Sequence, residues 1–225
     1  MRWLRVRGAK YVWPNPPVGC VLVKDGAVLA EAATHPGGRP HAERAAIERA
    51  TARRDVSPKG ASLYVTLEPC CHWGKTPPCT DAIIASAVRR VVCAIQDPDP
   101  RVNGGGFERL RNAGIEVSVG LGAEEAAQVM SGFFHRIRTG QPEVMVIERE
   151  IETIPEGADA LLSTRGGCLS LHSRTPEGVK TEAIPSGAEL GLLARLADIG
   201  LTSVAVSAQD RVARALLRTE SAEVE

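Results

Sequence analysis

The hydrophobic positions in the first 140 residues form short runs that alternate with polar, helix-type segments. Apolar residues 18–23 and 27–33 flank the turn signal Lys24-Asp25-Gly26, which predicts a β-hairpin. Further strands are predicted in SLYVTLE, RVVCAIQD and IEVSVG, and helices in HAERAAIERATARR, CTDAIIASAV and GFERLRNAG. A last helix is predicted over residues 124–138. This alternation indicates an α/β layer architecture with helices on both faces of a sheet.

The composition of the chain changes after the segment TGQP at residues 139–142. EVMVIERE predicts a strand, but residues 153–187 are rich in glycine, proline and serine and hold only the short apolar runs LLS and CLSL. The segments AELGLLARLADIG, TSVAVS and DRVARALLR then predict a closing helix, strand and helix. We therefore predict two domains, residues 1–141 and residues 142–225.

The overall composition is that of an ordinary globular protein, with 44% hydrophobic and 24% charged residues. Lys+Arg and Asp+Glu are equal at 27 each, so no net positive field attracts nucleic acid or anionic lipid. The apolar runs fall short of the roughly 20 residues that cross a bilayer, and the start MRWLRVRGAKYVW lacks a signal-peptide core. We expect a cytoplasmic protein that binds neither membrane nor nucleic acid.

The cysteines are expected to bind metal or to be buried, because a long chain without an export signal rarely relies on disulfides. Two of them, Cys20 and Cys93, lie in the apolar runs VGCVLV and VVCAI and are predicted core residues. Three others lie in EPCCHWGKTPPC, residues 68–79, together with a histidine, a lysine and three prolines. The prolines make this segment a poor helix and a poor strand, so it is predicted to be a rigid loop.

The loop can complete a metal site with a histidine from elsewhere in the chain. Catalytic zinc uses three protein ligands and leaves a fourth position to water, and His41, Cys70 and Cys79 form such a set. Base deaminases carry H-x-E followed by P-C-x-x-C, with the glutamate as acid and base. HAE and Pro69-Cys70 match this signature, but the partner cysteine lies nine residues further on rather than three.

Other interpretations of the cysteine loop stay open at this point. Cys71 and His72 compete as ligands, which would give a closed structural zinc site with four protein ligands. A cluster without any metal is a further alternative. Glu43 favours catalysis, because a carboxylate two residues after a ligand has no purpose in a closed site, whereas hydrolysis needs a base.

Several stretches, in this order, resemble the deaminase domain of the bifunctional riboflavin-biosynthesis deaminase-reductase family: PNPPVGCVLV, GGRPHAE, YVTLEPCCHWGKTPPC, DPDPRVNGGG and AGIEV. The resemblance covers roughly residues 1–141. The pattern C-x-H-x-G-[RK]-T-P-P-C separates this family from cytidine, guanine and transfer-RNA adenosine deaminases. The resemblance implies a cytidine-deaminase-like αβα sandwich with a five-stranded mixed sheet.

The resemblance also implies the chemistry of the site. His41, Cys70 and Cys79 would bind Zn²⁺, and Glu43 would shuttle protons. The implied reaction is the deamination of 2,5-diamino-6-ribosylamino-4(3H)-pyrimidinone 5′-phosphate in riboflavin biosynthesis. Two alternatives remain: a diverged paralogue that deaminates another small aminopyrimidine or purine, and a catalytically silent zinc scaffold.

Four residues are implied to bind the substrate. Asn15, in the PNP turn, corresponds to the base-contacting asparagine of the family, and His72 and Lys75 correspond to its substrate and ribose-phosphate contacts. His35 is the fourth candidate, although the family usually places this histidine at the position that Thr34 occupies here. The simpler interpretations are a turn-forming asparagine and solvated loop residues.

The second domain is expected to be a shortened α/β remnant of a dihydrofolate-reductase-like domain. Family members place a lysine and an S-L-D-G segment early in this domain and a glycine-rich E-G-G turn later. EVMVIEREIETIPEGADALL has neither of the first two, and Ser207-Ala208-Gln209 replaces E-G-G. Glycines at such a turn permit close approach to a phosphate, so NADPH binding is not expected. We predict a structural module that forms homo-oligomers, and a truncated N-terminus before MRWLRVRGAK.

Overall fold

The computed structural model describes residues 11–187, 191–210 and 215. These residues divide into two units, the first containing Pro16–Met130 and the second containing Trp13–Asn15 and the described residues from Ser131 onward. The division therefore falls before the predicted boundary after Gln141. The predicted N-terminal segment MRWLRVRGAK and most of the closing helix DRVARALLR lie outside the described residues.

The first unit contains a five-stranded mixed sheet with the order β2-β1-β3-β4-β5. β1 pairs antiparallel with β2 and β3, while β3, β4 and β5 run parallel. This arrangement confirms the predicted hairpin and the predicted mixed sheet. The strands are β1 (Gly19–Lys24), β2 (Ala27–Ala33), β3 (Ser62–Leu67), β4 (Arg90–Ile95) and β5 (Glu116–Val119).

Helices cover this sheet and bury its apolar side chains. α1 packs against β1 and β2, and α4 packs against β3 and β4. Cys20 and Cys93 are fully buried in β1 and β4, as predicted, together with Leu22, Leu63 and Leu110. The helices are α1 (Ala42–Thr51), α2 (Cys79–Ala85), α3 (Gly105–Asn112) and α4 (Ala123–Val129).

The prediction of a single helix over residues 124–138 is wrong, because the helix is interrupted at Met130. There φ is −110° and ψ is 17°, and a new helix, α5 (Ser131–Thr139), begins directly afterwards. The Ser131 hydroxyl donates to Glu143 Oε2 at 2.7 Å, and a Cβ at Gly132 would stand 2.7 Å from the Thr202 carbonyl oxygen. α5 is therefore fixed by packing within the second unit, which periodicity along one segment does not report.

The second unit has its own five-stranded sheet, with the order β6-β10-β7-β8-β9. β10 runs parallel to β6 and β7, whereas β7, β8 and β9 are antiparallel. The hydrophobic pattern predicted only β6 and β10 of these strands. It gave no signal for β9, which is exposed along its whole length and lacks an apolar face. The strands are β6 (Glu143–Ile147), β7 (Ala160–Arg165), β8 (Cys168–Thr175), β9 (Gly178–Ala183) and β10 (Ser203–Ser207).

Apolar packing on the two faces of the second sheet, together with one buried carboxylate, holds this unit together. α6 (Leu192–Asp198) places Leu193 and Leu196 against one face, and Ile151 and Ile154 pack on the other. At the sheet edge, Asp159 Oδ2 accepts hydrogen bonds from the Thr202 amide (2.8 Å), the Thr202 hydroxyl (2.6 Å) and the Ser203 amide (3.1 Å). This carboxylate joins the start of β7 to the start of β10.

Every helix within residues 11–187, 191–210 and 215 is too short or too polar to span a bilayer.

Candidate metal and active site

Three side chains from different elements meet in the first unit. His41 immediately precedes α1, Cys70 follows β3, and Cys79 is the first residue of α2. Their candidate ligand atoms all lie within 4.8 Å of one another. His41 Nδ1 is 3.8 Å from Cys70 Sγ and 3.3 Å from Cys79 Sγ. The structure thus brings together the three residues that the sequence selected as metal ligands.

The backbone around Cys70 favours a thiolate. The Cys79 amide donates to Cys70 Sγ at 3.3 Å, and both the amide and the hydroxyl of Thr80 donate to the Cys70 carbonyl oxygen at 3.2 and 3.3 Å. Hydrogen bonding from Cys79 and from His41 lowers the pKa of Cys70 to about 4. Zinc binds cysteine as thiolate and histidine as neutral imidazole, so this set of two sulfurs and one nitrogen fits zinc and leaves one coordination position for another ligand.

Glu43 lies beside this cluster in the first turn of α1. Only 4% of its surface is exposed, and it lies two residues after the candidate ligand His41. Burial raises the pKa of Glu43 to about 7, because a charged carboxylate is poorly solvated there. A carboxyl group with this pKa exchanges protons readily near neutral pH, as a general acid and base must.

The first residue of the cysteine loop, Glu68, has a structural role that sequence reasoning missed. Its buried carboxylate accepts four backbone N–H groups: Asp97 (3.1 Å), Gly104 (3.0 Å), Gly106 (2.9 Å) and Phe107 (3.2 Å). These donors belong to the loop after β4 and to the start of α3. Glu68 therefore anchors both to the segment that carries Cys70, and its only sequence signal is its place directly before Pro69-Cys70.

The neighbouring Cys71 is held by α3 and its preceding loop rather than by the metal cluster. Cys71 Sγ contacts the Arg101 carbonyl oxygen at 3.7 Å, and Arg109 Nη1 donates to the Cys71 carbonyl oxygen at 3.2 Å. Arg109 also forms an ion pair with Asp81 of α2 at 2.5 Å. Cys71 and His72 are not part of the three-residue group of candidate ligands. This geometry favours the open, three-ligand interpretation over a closed four-ligand site.

The predicted substrate contacts lie in different settings. Lys75 is exposed, and His72 Nδ1 is buried without a hydrogen-bond partner in the described part of the chain. His35 Nε2 lies 3.4 Å from Arg49 Nη2 on α1. Asn15 groups with the second unit. Their roles in substrate binding remain predictions.

Thr34, which stands where the family usually has a histidine, is engaged in the fold. The residue is 2% exposed, its hydroxyl donates to the Pro16 carbonyl oxygen at 3.0 Å, and it accepts the Val18 amide at 3.1 Å. Thr34 thus holds the segment that leads into β1, and His35, the next residue, is only partly buried.

Comparison with known proteins identifies the family. A model of the cytidine and deoxycytidylate deaminase zinc-binding region matches residues 4–95. The diaminohydroxyphosphoribosylamino-pyrimidine deaminase of Buchnera aphidicola subsp. Schizaphis graminum is 45% identical over 129 residues, which are 57% of this chain and 85% of that protein. The chain belongs to this deaminase family. Its members are zinc-dependent hydrolytic deaminases, so the predicted resemblance is confirmed.

Longer relatives of the deaminase family also match. Riboflavin biosynthesis protein RibD of Escherichia coli K12 is 50% identical over 143 residues, which are 64% of this chain and 38% of that protein. The chain therefore spans well under half of the length of this relative. The crystal structure of a diaminohydroxyphosphoribosylaminopyrimidine deaminase/5-amino-6-(5-phosphoribosylamino)uracil reductase from Thermotoga maritima superposes with a TM-score of 0.74 at 28% identity, covering 92% of this chain and 78% of that one. The predicted cytidine-deaminase-like fold is confirmed.

Proposed function

We propose that this protein deaminates 2,5-diamino-6-ribosylamino-4(3H)-pyrimidinone 5′-phosphate to 5-amino-6-ribosylaminouracil 5′-phosphate in riboflavin biosynthesis. The proposal rests on one observation: His41, Cys70 and Cys79 converge within 4.8 Å, and the buried Glu43 follows His41 by two residues in the first turn of α1. The name of the Buchnera relative, 85% of which this chain covers, supports the choice of substrate.

His41, Cys70 and Cys79 would hold Zn²⁺. When bound, zinc supplies a Lewis acid that lowers the pKa of a water molecule from 15.7 to about 7. Glu43 accepts a proton from the attacking water and delivers it to a ring nitrogen of the pyrimidine. The new carbon–oxygen bond forms at C2 as the ring nitrogen takes up this proton. Glu43 then takes the proton of the new C2 hydroxyl and delivers it to the amine, so the C2–amine bond breaks, ammonia departs and the C2 carbonyl forms.

The environment of Glu43 suits both halves of this proton shuttle. Because burial raises its pKa to about 7, the carboxylate can take up a proton and the carboxylic acid can return it at the same pH. A positioned acid and base of this kind contributes roughly 10²- to 10⁴-fold in rate. Because Glu43 is buried in the first turn of α1, its side chain stays beside the cluster, and one residue can serve both steps.

Four side chains would recognise the rest of the substrate. Lys75 brings a compact positive charge that suits the phosphate dianion, and the buried, unpartnered Nδ1 of His72 suits a polar group of the substrate. Asn15 would contact the base, and His35 would supply a further polar contact. These assignments follow the family correspondence.

The second unit would be a shortened reductase-like module that does not bind NADPH, so another protein would reduce the ribose. A cavity of about 450 Å³ in this unit is lined by three carboxylates, Glu150, Glu152 and Asp210, and by a single arginine. Negative charge of this kind repels the phosphates of a dinucleotide. Saturable binding of NADPH in calorimetry would contradict this assignment.

We further propose that the protein is cytoplasmic and that the module forms homo-oligomers.

The decisive experiment incubates the zinc-loaded protein with the diaminopyrimidine ribotide, with and without a chelator. The expected result is stoichiometric ammonia and a product with the mass of the uracil derivative, both abolished by the chelator. If zinc-loaded protein releases no ammonia, the proposed substrate is wrong. A panel of aminated bases then separates a paralogue with another substrate from a silent scaffold.

A further inference from the structure

Arg39 lies near the candidate active site and has a side-chain nitrogen that finds no partner among the described residues. It directly precedes Pro40-His41 and is partly buried, and its Nε atom is buried without a hydrogen-bond partner in the described part of the chain. An N–H group removed from water without a hydrogen-bond acceptor costs free energy, and such groups are normally paired. The fold therefore holds this cation in a place where nothing among the described residues compensates it.

The guanidinium of Arg39 faces the loop that carries Lys75. Arg39 Nη2 lies 3.9 Å from the position that a Cβ would take at Gly74. The Gly74 amide donates to the Thr76 carbonyl oxygen at 3.3 Å, so the chain turns tightly around Lys75. Two cationic side chains therefore lie close to the candidate site in sequence. Arg39 is two residues before His41, and Lys75 is three residues after His72.

Three acidic groups of the first unit have partners other than Arg39. Asp99 Oδ1 accepts a hydrogen bond from Arg101 Nε at 2.9 Å. The Glu68 carboxylate is taken up by four backbone N–H groups, and Glu48 pairs with Arg44 at 3.0 Å. A dianion would satisfy Arg39 and Lys75 together, and a planar guanidinium can bind two phosphate oxygens at once.

We propose that Arg39 is a second cationic ligand of the substrate phosphate and acts together with Lys75 across the Gly74 turn. This inference rests on the proposed function, because it takes a ribose-phosphate substrate as given. Arginine would supply the bidentate contact that fixes the orientation of the phosphate, while lysine supplies a point charge. The reacting amine would then be positioned by contacts at the opposite end of the substrate.

The test measures phosphate recognition separately from deamination. Calorimetry with ribose 5-phosphate compares the wild-type protein with the Arg39→Gln and Arg39→Lys variants, and kinetics compare the phosphorylated and dephosphorylated pyrimidine substrates. Arg44→Gln is the control, since Arg44 is an arginine at the start of the neighbouring helix α1 with a partner of its own, Glu48. Zinc content and thermal unfolding verify that every variant is folded and metallated.

We expect Arg39→Gln to weaken ribose 5-phosphate binding and to raise KM for the phosphorylated substrate by roughly 10- to 100-fold, in line with one lost charged hydrogen-bonding partner. The kcat should change little, and the dephosphorylated substrate should be unaffected. Arg39→Lys should recover part of the affinity, because lysine restores the positive charge but cannot bind two phosphate oxygens at once as a guanidinium does. Arg44→Gln should behave like the wild type.

Equal losses for both substrates, or unchanged ribose 5-phosphate binding in Arg39→Gln, would show that Arg39 is not a phosphate ligand. If the variant does not fold, the Nε–H resonance of Arg39 in ¹⁵N-labelled wild-type protein decides, since it should shift on addition of ribose 5-phosphate; an unmoved signal overturns the proposal. Arg39-dependent phosphate binding without deamination of the ribotide would instead refute the proposed function and leave this inference standing.

Discussion

The Glu68 carboxylate accepts the backbone N–H of Gly106 at 2.9 Å and is the central contact between the cysteine loop and α3. Gly106 is packed so closely against this segment that a Cβ there would stand 2.2 Å from the Pro69 carbonyl oxygen and 3.0 Å from Glu68 Oε1. Three further backbone amides complete the shell of this buried anion. The position of Cys70 is therefore coupled to the loop after β4 and to the start of α3.

Replacing Glu68 by glutamine should destabilise the first unit. The amide nitrogen cannot accept a hydrogen bond, so at least one buried N–H loses its partner and the remaining bonds lose their charge. We expect the free energy of unfolding to fall by about 2–4 kcal/mol in chemical denaturation. Glu108→Gln, at an exposed position on α3, should change the free energy of unfolding by less than about 0.5 kcal/mol. Equal stability of the two variants would contradict the anchoring role.

Replacing Glu43 by glutamine should abolish deamination while zinc binding persists. Glutamine keeps the size of the side chain and removes the proton shuttle, so kcat should drop by roughly 10²- to 10⁴-fold or more. Metal analysis and steady-state kinetics on the same preparation measure both properties. Glu48→Gln, on the exposed side of α1, is the control and should keep full activity. An active Glu43→Gln enzyme would rule out Glu43 as the acid and base.

Serine substitutions of two cysteines separate a three-ligand from a four-ligand zinc site. Cys79→Ser should lose most of its zinc, because Cys79 Sγ lies 3.3 Å from His41 Nδ1 within the cluster. Cys71→Ser should keep a full equivalent, since Cys71 Sγ contacts the Arg101 carbonyl oxygen instead. Zinc per protein chain is measured by mass spectrometry after dialysis. Loss of zinc from Cys71→Ser would favour the closed structural site.

The stability of the first unit should depend on pH through Asp97. Burial raises the pKa of Asp97 to about 6, and the charges of Asp99 and Glu68 act in the same direction. In the unfolded chain the pKa of an aspartate is ~3.9, so the folded state binds the carboxyl proton of Asp97 more tightly. Ionisation of Asp97 therefore lowers the free energy of unfolding as the pH rises from about 4 to about 6. The loss is complete above about pH 6.

Asparagine at position 97 cannot ionise and keeps an oxygen to accept the Asp99 amide. Asp97→Asn should therefore unfold at a higher temperature than the wild type at pH 8, with the difference vanishing below about pH 4. Thermal unfolding across this pH range gives the comparison, and Asp55→Asn on the exposed surface is the matched control. A constant difference at every pH would mean that Asp97 does not ionise as inferred.

Sequence was sufficient for the features that depend on local pattern. The alternating apolar runs predicted β1 to β5, and the residue types that zinc binds selected His41, Cys70 and Cys79, which the structure brings together. The break at Met130 could not be predicted, because it depends on contacts of α5 with distant residues such as Thr202. The strands β7, β8 and β9 were also missed. β7 and β8 hold only the short apolar runs LLS and CLSL, and β9 is exposed along its whole length.

The supporting residues of the site were harder to find than the ligands. Glu68 binds backbone amides 29 to 39 positions away, and backbone donors leave no trace in side-chain chemistry. Arg39 likewise gives no signal by composition, because its significance lies in the lack of a partner among the described residues. Such roles follow from tertiary contacts and become visible only when the loops are seen together.

The place of β10 in the second sheet limits how this part of the protein can be shortened. β10 comes from late in the chain, yet it lies between β6 and β7 and pairs with both. Removing residues from the carboxyl end as far as Ser203 would leave β6 stranded beside an unfilled gap. Any shortening of this unit must therefore keep Ser203–Ser207 in place, because these residues are the link between β6 and β7.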